Sequence, residues 1–300
     1  MQSATEILSK IEAGDFRALA RGLSLVENSH PIGKELLLSI RPNQVPIIGV
    51  TGPPGAGKSS LVNCLITNLV SLGKRVALIA VDPSSPFHYG ALLGDRIRLS
   101  GLYENPSVFI RSVASRGALG GISDKMIELT DLCCAAQFDY VFVETVGVGQ
   151  SEVEIAGLAD TTIVVLVPEA GDDIQTMKAG LMEIADIFVV NKSDRSKADQ
   201  FARFLKQLVH ERPLSNWNTP IIQTSVPEER GITELLEQVV AHQQIQKDFT
   251  KKAQLLTIKS WKLLQQKAML NYSQEEIFDA IKQALEQQSD FQLYQFLQGY

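Results

Sequence analysis

The segment Gly52-Pro53-Pro54-Gly55-Ala56-Gly57-Lys58-Ser59 constrains this chain more than any other. It fits the pattern GxxxxGK[ST], directly after an apolar run ending at Thr51 and directly before a helical pattern from Ser60 to Val70. Glycines in such a loop let successive backbone N–H groups turn inward around a phosphate chain without Cβ clashes, and the following helix start offers further donors and partial positive charge. Gly52 to Ser60 are therefore the expected phosphate-binding residues. Lys58 would neutralise β/γ-phosphate charge. Ser59 would give a hydroxyl oxygen to Mg²⁺, a hard cation that takes only one or two protein oxygens beside phosphates and waters.

Around this loop, short apolar runs alternate with helical stretches. The candidate strands are Pro46–Thr51, Arg75–Val81, Ser107–Val113, Tyr140–Glu144, Thr161–Val167, Ile187–Asn191 and Pro220–Thr224. Most are continuous Val/Ile/Leu/Phe runs, which suit strands covered on both faces of a parallel sheet joined by right-handed crossovers. The expected fold class is α/β, a three-layer P-loop NTPase fold with a mainly parallel sheet and helical extensions at both ends. Three helical patterns open the chain, Ala4–Glu12, Asp15–Glu27 and Pro31–Ile40, before Pro42 and Pro46 break the periodicity. The expected division is a helical extension over 1–43, the nucleotide domain over 44–230 and a C-terminal helical arm over 231–300. The arm includes Ser273 and Glu276 at capping-box spacing and is a candidate docking or dimer-forming element.

Composition narrows the partners. At 300 residues, 45% hydrophobic and 21% charged, the chain can bury one sizeable core with residues to spare. A net charge of −6 with thinly spread basic residues disfavours nucleic acid and anionic membrane surfaces, which reward dense Lys/Arg. No apolar run reaches the length of a membrane span and the N-terminus lacks a signal-like pattern, so a soluble cytoplasmic protein is expected. Three cysteines, Cys64, Cys133 and Cys134, are too few and too badly spaced for a disulfide framework or a CxxC metal site, and read as small apolar helix residues.

The base of the nucleotide is addressed farther along. Asn191-Lys192-Ser193-Asp194 follows the apolar run Ile187–Val190 and fits NKxD. The Asp194 carboxylate can accept from guanine N1–H and N2–H₂, where adenine presents no such donor pair. A charge-assisted hydrogen bond of roughly 1.5–3 kcal/mol gives about 10- to 100-fold in affinity. Asn191 would bond the base or brace the loop, and the stem of Lys192 would cover the ring face. After the next strand, Thr224-Ser225-Val226 stands where a second base-side loop belongs, with Ser225 as its bracket.

At the end of the run Tyr140–Glu144, Glu144-Thr145-Val146-Gly147 reads as ExxG. Glu144 would hold a water of the Mg²⁺ shell, and the Gly147 N–H would meet the γ-phosphate and release the loop once that phosphate is lost. Ras-like proteins carry a water-positioning Gln immediately after this glycine. Here that residue is Val148, with Gln150 two positions on, so slow intrinsic hydrolysis is expected unless a partner supplies or positions a catalytic group.

Together these motifs resemble the MeaB/ArgK-type GTPases, bacterial relatives of the methylmalonic aciduria type A protein. The likeness also rests on Val81-Asp82-Pro83-Ser84-Ser85-Pro86-Phe87, Leu93-Gly94-Asp95-Arg96-Ile97-Arg98, Ser115-Arg116-Gly117 with Gly120-Gly121, the run from Glu144 to Ser151, and Gly171 to Gly180. The resemblance implies a G-protein chaperone of a cobalamin-dependent acyl-CoA mutase, chiefly methylmalonyl-CoA mutase, gating cofactor delivery and protecting or reactivating the enzyme. It implies a homodimer through the C-terminal arm. It also implies an acidic group of Asp82, Asp95 and Glu144 around Mg²⁺ with Ser59, and an extra switch over Gly171–Gly180 that includes Lys178. Two departures stand out: His88 and Tyr89 occupy places where the family has a small residue and glycine, and Ser193 replaces the usual alanine of NKAD, a change expected to matter little. Two rivals are weaker. A metallochaperone GTPase would need His-rich or Cys/His clusters, against four scattered histidines here, and a transport-associated kinase would use ATP, which Asp194 argues against.

Overall fold

The computed structural model describes residues 3–41, 44–82, 100–114, 125–146, 154–171, 181–211, 216–245, 249–268 and 273–287. The chain opens with helices α1 (Ala4–Glu12), α2 (Phe16–Glu27) and α3 (Pro31–Ser39). It continues through β1 (Ile47–Thr51), α4 (Lys58–Ser71), β2 (Val76–Asp82), β3 (Val108–Ala114), α5 (Met126–Cys134) and β4 (Tyr140–Glu144). Next come α6 (Ile155–Leu158), β5 (Thr161–Leu166), α7 (Leu181–Ile184), β6 (Ile187–Asn191), α8 (Ala198–His210) and β7 (Ile221–Thr224). Three helices close the described chain: α9 (Ile232–Gln243), α10 (Thr250–Ala268) and α11 (Gln274–Gln287).

All seven apolar runs are strands of one sheet, in the order β3-β2-β4-β1-β5-β6-β7, and every adjacent pair is parallel. Burial of both faces explains why inner strands such as β1, β5 and β6 read as nearly unbroken apolar runs. On one face Ile48, Val50, Leu78, Phe142, Ile163, Val165 and Val189 pack with Leu61, Leu65 and Ile66 of α4 and Ile232, Leu235 and Val239 of α9. Fully burying one such side chain stabilises the fold by about 1.5–3 kcal/mol. On the other face β1 carries Gly49, where a Cβ would lie 2.5 Å from Ile155 Cγ1 and 2.9 Å from Ala159 Cβ, so α6 sits hard against the central strand.

Contacts divide the chain into two compact units, Met1–Lys252 and Ala253–Tyr300. The sequence expectation began the C-terminal arm at residue 231, but α9 is a layer of the sheet's own core, and the sheet-bearing unit runs on past it. The periodicity could not separate a helix packed on a sheet from one in an arm.

The N-terminal helices belong to that first unit. Ser3 makes a capping box with Glu6, the Asp15 carboxylate accepts from the N–H groups of Arg17 and Ala18, and Pro31 starts α3 where its missing N–H costs nothing. Two arginines tie the helices to the sheet. The Arg75 guanidinium, just before β2, donates to Gly14 O at 3.3 Å and lies over the rings of Phe16 and Phe138 at 5.4 and 5.9 Å. Arg111 on β3 pairs with Glu27 at 2.7 Å. Cys133 and Cys134 are buried in α5, where burial pushes both thiols well up, Cys134 to about 12, which leaves them protonated and inert.

Helices α2 and α3 cross at Gly33, where a Cβ would meet Leu25 O at 2.6 Å and Val26 N at 2.8 Å, backbone atoms that cannot swing aside. Gly33→Ala should therefore destabilise the protein by about 1–3 kcal/mol, read as a lower thermal-unfolding midpoint. Gly22→Ala, whose nearest neighbours are the side-chain tips of Ile11 and Leu132 at 3.0 Å, should cost less. Equal midpoints for the two variants would contradict this account of the crossing.

Candidate functional site

Parallel pairing brings the C-terminal ends of all the strands to one edge. Strand order diverges there from β1, towards β4, β2 and β3 on one side and β5, β6 and β7 on the other. The crevice outside such a divergence is where open parallel sheets bind ligands.

The expected phosphate side is built on β1 and α4. Gly52 has φ 139° and Gly57 has φ 88°. A Cβ on Gly52 would lie 2.1 Å from Val165 O of β5, and one on Gly57 would lie 2.5 Å from Asn191 Nδ2 of β6. Both backbone angle and close approach demand glycine. Gly57 caps α4 with no side-chain acceptor, so the helix start presents its amides as an anion site does. Ala56 is buried beneath the loop, Gly55, Pro54 and Ser60 are exposed, and Pro53 is half-buried. Lys58, the first residue of α4, is buried, and its ammonium donates to Gly52 O at 2.8 Å and Pro53 O at 3.2 Å.

Beside the loop, Ser59 Oγ donates to Glu144 Oε1 at 2.6 Å, bringing a hydroxyl and a buried carboxylate together at the ends of α4 and β4. A buried hydroxyl pair, Thr51 and Thr145 at 2.9 Å, joins β1 to the residue after Glu144. Ala80 of β2 pairs with Glu144, so the backbone of Asp82, two residues on, ends along the same edge. Oxygen donors of this kind suit a hard divalent cation such as Mg²⁺. Asp95, Gly147, Gln150 and Lys178 lie outside the described residues, as do His88 and Tyr89.

The expected base side is built on β6 and β7. Asn191 is buried and braces the loops: its Nδ2 donates to Ala56 O at 2.9 Å, and its Oδ1 accepts from Thr224 Oγ1 at 3.0 Å. Lys192 adopts φ 56° and reaches back to donate to Gly55 O at 2.7 Å. Asp194 is exposed, and its Oδ1 accepts from the hydroxyl of the fully buried Ser225 at 2.9 Å. That hydrogen bond is the main cause holding the Asp194 carboxyl below its ordinary value, so it stays ionised at neutral pH. Val226 packs against the core beneath.

The two sides are thus connected: Asn191 at the end of β6 and Lys192 just after it touch the glycine-rich loop. Sequence reading missed several members of the site. Arg230 Nη2 donates to Ser193 Oγ at 2.9 Å, and Arg195 pairs with Glu169 at 2.6 Å. Neither belongs to a short motif, and each joins residues far apart in sequence, so no local signal announces them.

The sequence matches the family described as methylmalonyl-CoA mutase-associated GTPase MeaB over residues 19–284. A Pyrococcus horikoshii relative, itself only provisionally assigned as a GTPase, is 45% identical over 262 residues, 85% of this chain and 82% of its own. The GTPase ArgK of Escherichia coli is 40% identical over 246 residues, 78% of this chain and 74% of its own. The methylmalonic aciduria type A homolog of Caenorhabditis elegans is 33% identical over 253 residues, 77% of this chain and 63% of its own. Among solved structures, one described as a LAO/AO transport system kinase superposes with a TM-score of 0.70 at 31% identity, covering 92% of this chain and 85% of that one. By that extent of match, the chain belongs to the MeaB family of P-loop GTPases.

Proposed function

We propose that the chain is a GTP-driven switch that serves as chaperone to a cobalamin-dependent acyl-CoA mutase, methylmalonyl-CoA mutase foremost, gating cofactor loading and protecting or reactivating the enzyme. The observation that carries the nucleotide half of this reading is the single rigid edge on which a phosphate loop and the Asp194 carboxylate are held together through Asn191. The client half is supported by the description of the matching family and by the methylmalonic aciduria homolog.

In this reading the loop from Gly52 to Ser60 seats the phosphates on the N–H groups of its residues other than Pro53 and Pro54, and Lys58 offsets the phosphate charge. Asp194 accepts from the guanine edge, its geometry fixed by Ser225, while the Lys192 stem lies along the base. Ser59, Asp82, Asp95 and Glu144 would hold Mg²⁺, which supplies charge neutralisation at the β- and γ-phosphates when bound. Gly147, Gln150 and Lys178 carry the γ-phosphate response and the coupling to the client. Three free cysteines fit a reducing cytoplasm. Among the described residues no helix is long and apolar enough to cross a membrane. Ile258, Trp261 and Leu264 of α10 and Phe278 of α11 are largely exposed, which supports a homodimer formed through these helices.

Asp194→Asn turns one acceptor into a donor facing guanine. It should weaken GDP and GTP binding by about 10- to 100-fold in a fluorescence titration with Mg²⁺, with the thermal midpoint little changed because the amide oxygen of asparagine can still accept from Ser225. Equal wild-type affinity for adenine and guanine nucleotides would sink the base assignment. Single-turnover hydrolysis by the isolated protein should run on the order of 10⁻⁴–10⁻² per second; tens per second would refute a missing catalytic group. Pull-downs of host mutases should differ between GTP-analogue and GDP forms, and an absence of any nucleotide-dependent capture would remove the client while leaving the GTPase.

A further inference from the structure

The serine at position 193 stands in a closed ring of contacts around Asp194. Ser225 Oγ donates to Asp194 Oδ1 at 2.9 Å. Ser225 and Arg230 form an isolated antiparallel bridge, with Ser225 N to Arg230 O at 3.1 Å and Arg230 N to Ser225 O at 3.0 Å. The Arg230 guanidinium then crosses to the other loop and donates to Ser193 Oγ at 2.9 Å, one residue before Asp194. Ser193 N donates to Thr224 O at 3.0 Å, which closes a second, smaller ring beside the first. The carboxylate is thereby held from both sides: through its own oxygen by Ser225, and through its backbone by Ser193.

We infer that Arg230 and Ser193 are positioning residues for base recognition, a side-chain clasp between the two base-side loops that aims the Asp194 carboxylate at the guanine edge. The inference rests on the assignment of Asp194 as the guanine-reading group and deepens it. Three features support the clasp. The turn between Ser225 and Arg230 is fixed by its two backbone hydrogen bonds, so the guanidinium starts from a defined point. The same Nη2 also lies 3.4 Å from the Glu228 carboxylate on its own turn, so the tip of the arm is steered from both loops. Ser225 is fully buried and cannot follow Asp194 if the neighbouring loop drifts, so loop drift converts directly into a lengthened Asp194 hydrogen bond.

The clasp also gives a use to a residue that motif reading dismisses. An alanine in place of Ser193 keeps the backbone contact to Thr224 and loses only the acceptor for Arg230. Because Arg230 is exposed, the hydrogen bond competes with water and its effect on affinity is bounded at about 3- to 10-fold, below that of Asp194 itself. Its signature is selectivity. A carboxylate aimed less sharply loses most on the ligand that offers two donors, and less on one that offers a single donor.

The test uses the full chain with Mg²⁺ and titrates GDP, IDP, which lacks the 2-amino group, and ADP. Arg230→Ala and Ser193→Ala should each lower GDP affinity about 3- to 10-fold and narrow the GDP-to-IDP ratio, leaving ADP unchanged. The double variant should be no worse than Arg230→Ala alone, the non-additivity of two residues sharing one contact. Arg230→Lys, which keeps a donor, should recover part of the ratio. A GDP-to-IDP ratio unchanged in Arg230→Ala, while wild type prefers GDP over ADP, overturns the clasp and leaves the guanine reading standing. A uniform loss for all three nucleotides alongside a lowered thermal midpoint also overturns it, since that is the mark of a structural role only. Wild-type protein with no preference for GDP over ADP overturns the guanine reading, and the inference with it.

Discussion

Close approach of β1 to β5 just beyond Thr51 is the constraint on which the site depends. The Val165 carbonyl stands where a Cβ of residue 52 would be, 2.1 Å from it, so only glycine lets the chain leave β1 and turn across the end of its neighbour. That turn sets where α4 begins, and hence where its amides, Lys58 and Ser59 point. Asn191 Nδ2 makes the same demand at Gly57. The phosphate loop is therefore shaped by the neighbouring strands as much as by its own sequence, which explains why a glycine-rich string carries weight only in a strand-to-helix context.

From that edge, the arrangement of charge follows. Lys58 and Glu144 are both buried, and neither is left unsatisfied: the ammonium meets loop carbonyls and the carboxylate meets the hydroxyl of Ser59, the residue after Lys58. Burying such groups is costly without partners. Their place at the start of α4 and the end of β4, beside the glycine-rich loop, suits chemistry with phosphate and a divalent cation.

Much of this was legible in the sequence because it is local. Most strands are contiguous apolar runs, Ser3 and Asp15 cap α1 and α2, and Pro31 opens α3 behind its cap His30. Glycine spacing, NKxD and the carboxylate after a strand are likewise short strings whose chemistry is written in adjacent residues. What escaped is what depends on distance. Arg75 and Arg111, which dock the opening helices, read as ordinary charged strand residues until Phe16, Phe138 and Glu27 are brought beside them. The same limit hid the role of α9, whose amphipathic pattern is equally consistent with an arm and with a layer on the sheet.

Magnitudes decide which parts of the base side are rigid. Asn191 and Ser225 are buried, and their hydrogen bonds to Ala56 and Asp194 are protected from water or anchored by a group that is. Breaking such a bond leaves an unsatisfied polar atom at about 1–3 kcal/mol. The Arg195–Glu169 pair, though short at 2.6 Å, has both side chains about half exposed, at 48% and 53%. Exposed pairs contribute about 0–1 kcal/mol. Glu169 lies in the turn after β5, and this pair joins that turn to Arg195, the residue after Asp194. Its weakness is informative: it can bias the position of the turn but cannot lock it. If Gly171–Gly180 acts as a nucleotide-dependent switch, a contact this weak would let the turn move where the buried bonds that fix Asn191 and Ser225 would hold it.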